Sequence, residues 1–333
     1  MTSKEIIKRL IHHDTPPRIG FDFLDRSDLT GFGSRRYVNL PDNPYDAWGK
    51  YPELEKLTGF NGETRRDMFG NIYGRFEGKT KGECIRGAIQ DWEDYSYPIP
   101  KFDPAYREEL LQKNLTACDQ YVFVSGGSLF SALRDARLIS NALADTITDP
   151  DAVTDFMEKI SDHEVAVIKS LAGCGIDGWF LGDDWGTQDR TLISPESFRE
   201  LFKGAYKKVC DAAHEVGMDV IMHSCGYNYA FLEDLIDAGM DGFQFDQPDV
   251  YPTEVLAKEF ANRVMFHSPV DIQKVLPTGN RELIESRALE MCHLFREAGG
   301  GWIAKDYPSY QDIGIDPVWA KWAEDVIVEN CRL

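Results

Sequence analysis

The stretch Asp219-Val220-Ile221-Met222-His223-Ser224-Cys225-Gly226 reads as a buried β-strand that ends in two metal-capable side chains. Strand side chains alternate faces with period 2, so His223 and Cys225 are expected on one side, at the strand's carboxyl end. Imidazole and thiolate are the usual protein ligands of zinc. Two plainer readings stand beside this one. A cysteine on an apolar strand is commonly a small buried hydrophobe, and a histidine there commonly satisfies a core hydrogen bond. A thiolate–imidazole nucleophile pair is a further reading, but no oxyanion device accompanies it in the sequence.

Outward from this octapeptide the pattern repeats as strand, helix, strand, helix. Strands are expected at 18–23, 82–88, 120–126, 178–184, 219–225, 242–247, 264–269 and 301–306. They are short continuous apolar runs, as parallel strands covered on both faces should be. Helices are expected between them, at about 104–118, 128–145, 150–173, 195–216, 228–238, 252–261, 271–276, 280–298 and 317–330. Ser194-Pro195 marks one helix start, with Ser as N-cap and Pro at the first helical position. Eight βα units in one domain spanning 1–333 predict an α/β fold, a (β/α)8 TIM barrel. A doubly wound open sheet is the runner-up, weakened because no GxGxxG follows the first strand.

The N-terminal part departs from this rhythm. Residues 3–12 read as an amphipathic helix with Ser3 as N-cap, stopped by Pro16-Pro17. Residues 27–64 read as an irregular excursion with one helix near 43–57. Residues 65–78 read as a hairpin turning at Gly70-Asn71, and Pro98, Pro100 and Pro104 mark a loop. The insertion-rich region 27–100 is expected to supply a pocket wall or a lid.

With 36 basic against 56 acidic residues, the net charge of −20 disfavours nucleic acid and anionic membrane surfaces as partners. Apolar residues make up 43%, enough for a large core, yet no run of about 18 of them suggests a membrane span. The N-terminus carries no signal-peptide pattern. Seven cysteines, scattered and without CxxC spacing, suit free thiols in a reducing cytoplasm. Cys118, Cys174, Cys210 and Cys292 read as fillers in helical patterns.

In a TIM barrel the active site lies at the carboxyl ends of the strands. Here those ends carry Asp22; Ser125, Gly126 and Gly127; Asp183 and Asp184; His223 and Cys225; Asp246 and Gln247; His267 and Ser268; and Lys305, Asp306 and Tyr307. Strand ends border polar loops in any protein, which accounts for part of this list. The adjacent carboxylates Asp183 and Asp184 are less easily dismissed, because they repel each other and need cations, hydrogen bonds or a proton. Asp183, Asp184, Asp306 and Tyr307 are therefore candidates for catalytic work. His223 and Cys225 are the metal candidates. Asp22, Trp185, Tyr227, Gln247, His267 and Lys305 are candidates for contacts to a small-molecule substrate.

With these strands in place, the chain resembles the uroporphyrinogen decarboxylase superfamily across residues 176–275. The resemblance is carried by Gly182-Asp183-Asp184, by Leu192-Ile193-Ser194-Pro195-Glu196-Ser197-Phe198-Arg199, by His223-Ser224-Cys225-Gly226, by Leu232-Glu233-Asp234-Leu235-Ile236-Asp237-Ala238-Gly239 and by Val270-Asp271. It implies a TIM barrel with its active site in the mouth. True decarboxylases of that superfamily hold their tetrapyrrole carboxylates with an RQAGR-type segment after the first strand. This chain has Asp22, Asp25 and Asp28 there, so it is more similar to the branch that transfers methyl groups between corrinoid proteins and small acceptors such as thiols.

In that branch the resemblance implies zinc held by His-x-Cys after the fifth strand and by a second Cys after the eighth. His223 and Cys225 match the first half. The second Cys is absent, and Lys305-Asp306-Tyr307 stands in its place. Asp306 or Tyr307 could ligate, or Asp183 or Asp184, or zinc could be missing. Relatives with an incomplete motif resemble the methyl-transferring components of ether demethylation systems. The expected activity is thus transfer of a methyl group between a small methylated compound, such as a methyl ether, or a thiol and a corrinoid on a partner protein. A lyase acting on a smaller carboxylated substrate and a non-catalytic small-molecule-binding barrel are the alternatives. A homodimer is compatible with all three.

Overall fold

The computed structural model describes residues 1–32, 42–76, 82–93, 95, 101–116 and 119–333. The loop prolines Pro98 and Pro100, the filler Cys118 and the hairpin's last residues Glu77 and Gly78 lie outside the described residues.

Eight parallel strands form a nearly closed barrel, with helices outside it. In chain order they are β1 (Gly20–Phe23), β2 (Leu29–Phe32), β3 (Tyr121–Ser125), β4 (Gly178–Gly182), β5 (Asp219–His223), β6 (Gly242–Gln244), β7 (Met265–Ser268) and β8 (Trp302–Lys305). β1 pairs with β8 on one side, and the ladder runs on through β7, β6, β5, β4 and β3 to β2. The fold is a TIM barrel, as the alternation of elements predicts.

One strand differs from expectation. The second barrel position belongs to Leu29–Phe32, not to 82–88. β2 follows β1 after only the short strand Arg26–Ser27, which turns back antiparallel on β1. A parallel neighbour normally needs a crossover of a dozen residues, so the sequence pattern gave no reason to place one here. Glu83–Arg86 is a strand, but of a separate antiparallel sheet with Glu63–Arg66 and Ile72–Arg75. The expected hairpin is therefore real and gains a third strand. That sheet docks on the helix Phe130–Arg137, where Ile89 N–H donates to Ala136 O and Tyr73 O–H to Asp135 Oδ2.

Two long helices are also broken. The expected 128–145 helix divides at Leu138, which has φ 63, into Phe130–Arg137 and Ile139–Thr148. The expected 195–216 helix divides at Phe202 into Pro195–Leu201 and Lys203–Glu215. No helix among the described residues is long and apolar enough to cross a membrane. Cys84, Cys174, Cys210, Cys225, Cys292 and Cys331 are free thiols, as expected.

The barrel interior is apolar at the bottom and polar at the top, and the strand period sets this. Leu29, Tyr121, Ile221, Met265 and Ile303 pack with Ile6, Ile7, Leu10 and Ile11 of the N-terminal helix Ser3–Ile11 in one cluster. That helix plugs the amino-terminal end of the barrel. The helix packs closely on β1: a Cβ at Gly20 would lie 2.6 Å from Ile7 Cδ1. Two residues further along the same faces stand Phe123, Phe180, His223, His267, Lys305 and Asp22. The ladder places Gln244 opposite both His223 and His267, and Asp22 opposite Lys305. Polar groups on β1, β5, β6, β7 and β8, with Phe123 on β3 and Phe180 on β4, thus make up the layer that faces the mouth.

Candidate metal centre in the barrel mouth

β4 and β5 stay joined beyond their last ladder residues. Asp183 N–H donates to His223 O at 2.9 Å, and Trp185 N–H to Ser224 Oγ at 3.2 Å. Tyr227 N–H reaches Thr187 O at 2.7 Å. The two loops touch at Gly186 and Gly226: Gly226 has φ 78, and a Cβ on it would sit 2.2 Å from Gly186 O. Only glycine permits this approach. The consequence is that Asp184, at the end of β4, lies against Cys225, just after β5. Cys225 N–H donates to Asp184 Oδ1 at 2.8 Å.

His223 completes the group. Its Nε2 lies 3.4 Å from Cys225 Sγ and 3.4 Å from Asp184 Oδ1. One ligand atom from each of the three residues falls within 4.8 Å of the others. Zinc bonds of about 2.0 Å to nitrogen and 2.3 Å to sulfur, set at a tetrahedral angle, separate the donors by about 3.5 Å. The observed spacing fits that geometry, and imidazole, thiolate and carboxylate are all zinc donors. Three protein ligands are also the number a catalytic zinc keeps, leaving one position open.

Electrostatics bind the three together. Burial opposes the charge on Asp184, but the hydrogen bonds from His223 and from Cys225 N–H, with Arg134 Nη1 at 3.9 Å, hold its carboxyl down at about 2. Burial also opposes the charge on His223, and the neighbouring Asp184 and Cys225 outweigh it, pushing the ring up to about 10. The His223 ring does not face the cluster by chance. Its Nδ1 is engaged by Gln244 Oε1. Gln244 Nε2 donates to Asp246 Oδ1 at 2.6 Å, and Lys305 Nζ donates to the same oxygen at 2.7 Å.

The other candidate residues take different places. Asp183 is fully buried and faces away, accepting hydrogen bonds from Leu129 N–H, Ser131 N–H and Tyr206 O–H. It anchors the start of the helix Phe130–Arg137, and burial raises its pKa. Trp185 is also fully buried. It stacks on Phe130 with ring centroids 4.0 Å apart, and its indole N–H donates to Tyr206 O–H. It is core, not pocket wall. The adjacent acidic pair thus divides into one structural carboxylate and one in the mouth.

Asp306 accepts from Leu24 N–H and from Tyr310 O–H, and belongs to no metal-capable cluster among the described residues. Tyr307 is half-buried; its N–H donates to Tyr310 O–H, and the Lys305 ammonium lies 5.9 Å from its ring centroid. His267 is buried, with Nε2 2.9 Å from Asp22 Oδ2 and Nδ1 buried without a partner among the described residues. Although burial works against it, this histidine lowers the pKa of Asp22. Of Asp22, Asp25 and Asp28, only Asp22 reaches the mouth. Asp28 is buried in a two-bond pair with Arg18, and Asp25 is exposed beside Arg26 and Lys321. Gln247 follows β6, its Oε1 buried and unpaired among the described residues. Tyr227 packs among Tyr229 and Tyr251.

A cleft of about 510 Å³ opens beside His223. Ser125, Gly127, Phe180 and Gly182 line it from the barrel, and Phe69 lines it from the inserted antiparallel sheet. The insertion-rich region thus contributes a wall residue.

Gln244 is the residue that strand-end reasoning passed over. Its signal was present: an amide between Phe243 and Phe245, on an otherwise apolar strand, must find partners inside the barrel. Asp246 stood at a strand end, but nothing in the sequence linked it to His223.

Residues 123–305, more than half of the chain, match the family model for uroporphyrinogen decarboxylase (URO-D). No curated protein sequence matches. Among solved structures, a methyltransferase from Methanosarcina mazei is 14% identical, with 99% of each chain covered and a TM-score of 0.67. A D-psicose 3-epimerase from Clostridium cellulolyticum H10 is 11% identical, over 68% of this chain and 83% of that one, with a TM-score of 0.41. An L-ribulose 3-epimerase is 14% identical, over 67% of this chain and 78% of that one, with a TM-score of 0.43.

Proposed function

The chain belongs to the uroporphyrinogen decarboxylase family, and we propose that it is a methyltransferase moving a methyl group between a small methylated compound, such as a methyl ether, or a thiol and a corrinoid carried by a partner protein. The observation that carries this reading is the cluster of Asp184, His223 and Cys225 at the mouth of the barrel. The whole-length likeness in fold to a methyltransferase supports it. The reading treats residues 1–333 as one domain, in which 27–100 supplies part of the pocket wall.

In this reading His223 Nε2, Cys225 Sγ and a carboxylate oxygen of Asp184 hold zinc. Zinc, when bound, supplies a Lewis acid that polarises the heteroatom from which the methyl group leaves or to which it moves. The remaining work falls to the chain. Gln244 keeps the His223 ring oriented. Phe180 and Phe69 line an apolar side of the cleft and exclude water from the methyl group. In the same reading the Asp22–His267 pair, 2.9 Å apart in the mouth layer, handles the proton of a departing oxygen or an arriving thiol. The acceptor side of the mouth must stay open, because a corrinoid on another protein has to approach it.

The test combines metal content with turnover. Protein purified without chelator is expected to hold near-stoichiometric zinc and to methylate free cob(I)alamin from a panel of methyl ethers and methyl thioethers. His223→Ala should lose both. If His223→Ala keeps full activity, the metal role is wrong. If carbon dioxide is released from a carboxylated substrate without any corrinoid, the protein is a lyase instead.

A further inference from the structure

The eighth strand carries no metal-capable cysteine, but it is not silent toward the cluster. Lys305, the last residue of β8, is buried and turned into the barrel. Its ammonium donates to Asp246 Oδ1, and the same oxygen accepts from Gln244 Nε2. The far end of the Gln244 amide meets His223 Nδ1. The chain of contacts therefore crosses the mouth from β8 through β6 to β5.

Donor and acceptor roles along this chain follow from elementary chemistry. An ammonium only donates, so Asp246 must accept. The oxygen that accepts from the ammonium is also the one that faces the amide, so the amide meets it with a donor. The amide must then turn its NH2 toward Asp246, which leaves Oε1 toward His223. An amide oxygen only accepts, so His223 Nδ1 must carry a hydrogen. The ring nitrogen left over is Nε2, the atom that faces Cys225 and Asp184. Each role forces the next.

We propose that Lys305, Asp246 and Gln244 form a positioning relay that fixes the His223 ring with Nδ1–H on Gln244 and Nε2 toward Cys225 and Asp184. The consequence for a metal rests on the reading above; the ring orientation does not. Ligating histidines generally donate their second N–H to a carboxylate, a carbonyl or water. Here a glutamine takes that position, and the charge that orients it comes from the strand end that lacks a ligand. None of the three is a catalytic residue: each acts on the cluster through another.

The experiment uses the full chain with 15N-labelled histidine, first free of metal. In the wild-type protein, His223 Nδ1–H is expected as a downfield proton that exchanges slowly with water. Gln244→Met keeps the side-chain length but offers no amide oxygen, and the signal should vanish. Gln244→Leu repeats the loss should Gln244→Met fail to fold, as judged by near-ultraviolet circular dichroism.

Zinc competition with a chromophoric chelator gives the second readout. Gln244→Met should weaken zinc by about 10- to 100-fold. A slowly exchanging Nδ1–H that persists in folded Gln244→Met or Gln244→Leu overturns the relay. A wild-type protein that shows the signal but takes up no zinc sinks the metal reading and leaves the relay standing. Zinc uptake that ignores Gln244→Met, with no protected proton, sinks the relay and leaves the metal reading.

Discussion

Cys225 N–H donates to Asp184 Oδ1 at 2.8 Å, so a backbone hydrogen bond, not sequence adjacency, makes Asp184 the partner of the His-x-Cys pair. Asp184 sits where β4 ends and Cys225 just past β5, and the bond spans the two loops. The carboxylate is 42% exposed and is held charged at about 2, burial notwithstanding, by His223, Cys225 N–H and Arg134. Asp184→Ala should therefore leave folding stability within about 1 kcal/mol of wild type, as surface ion pairs contribute little. It should nevertheless weaken zinc by at least about 10-fold, since it deletes one of three donors. Chelator competition and urea denaturation on the same preparation check the two halves.

Its neighbour Asp183 should behave in the opposite way. Its side chain satisfies Leu129 N–H, Ser131 N–H and Tyr206 O–H inside the core. Asp183→Ala leaves those donors buried without a partner, at about 1 to 3 kcal/mol for each unsatisfied group. A loss of at least about 3 kcal/mol is expected in denaturant melts. If the folded fraction retains wild-type zinc affinity, the division of the acidic pair into a structural and a site carboxylate holds. Unchanged stability would show that Asp183 is not the anchor of the helix Phe130–Arg137.

Gly226→Ala tests how the loops bring the cluster together. A Cβ there would lie 2.2 Å from Gly186 O, at a residue with φ 78. The clash is with backbone, so the β4 and β5 loops must part. Zinc affinity is expected to fall by more than about 10-fold, because Asp184 moves away from Cys225. The barrel itself should persist, with unchanged far-ultraviolet circular dichroism. Wild-type affinity in this variant would mean that the loop contact does not position Asp184.

How much of this the sequence could disclose depends on the range of the interaction. The β4 to β8 strands were legible because each is a short apolar run preceding a helix, and period 2 put His223 and Cys225 at one end. β2 was not, because Leu29-Thr30-Gly31-Phe32 follows β1 without a crossover helix. Asp183 and Asp184 look alike in sequence, and alternation alone sends them to opposite faces without saying which is inward. That choice is made by Tyr206, whose hydroxyl waits in the core for one of them. Trp185 was misread for the same reason: the residue that follows a strand end can turn back into the helical layer. Gln244 is visible only once β5 and β6 are set in register.

At the opposite end of the barrel, His214 meets Asp241. His214 Nε2 lies 2.7 Å from Asp241 Oδ2, which also accepts Val220 N–H at the start of β5. The Asp241 hydrogen bond, working against burial, raises the His214 pKa above its ordinary value. A histidine whose pKa is higher folded than unfolded favours the folded state when protonated. That contribution is fully present below the unfolded value of about 6.5 and fades as pH rises through the raised folded value. His214→Gln keeps a donor for Asp241 but removes the charge. Its destabilisation relative to wild type should therefore be largest near about pH 6 and shrink steadily toward about pH 9. Urea melts of both proteins across that range measure the difference directly. A gap that stays constant with pH would show that His214 acts through packing and not through its proton.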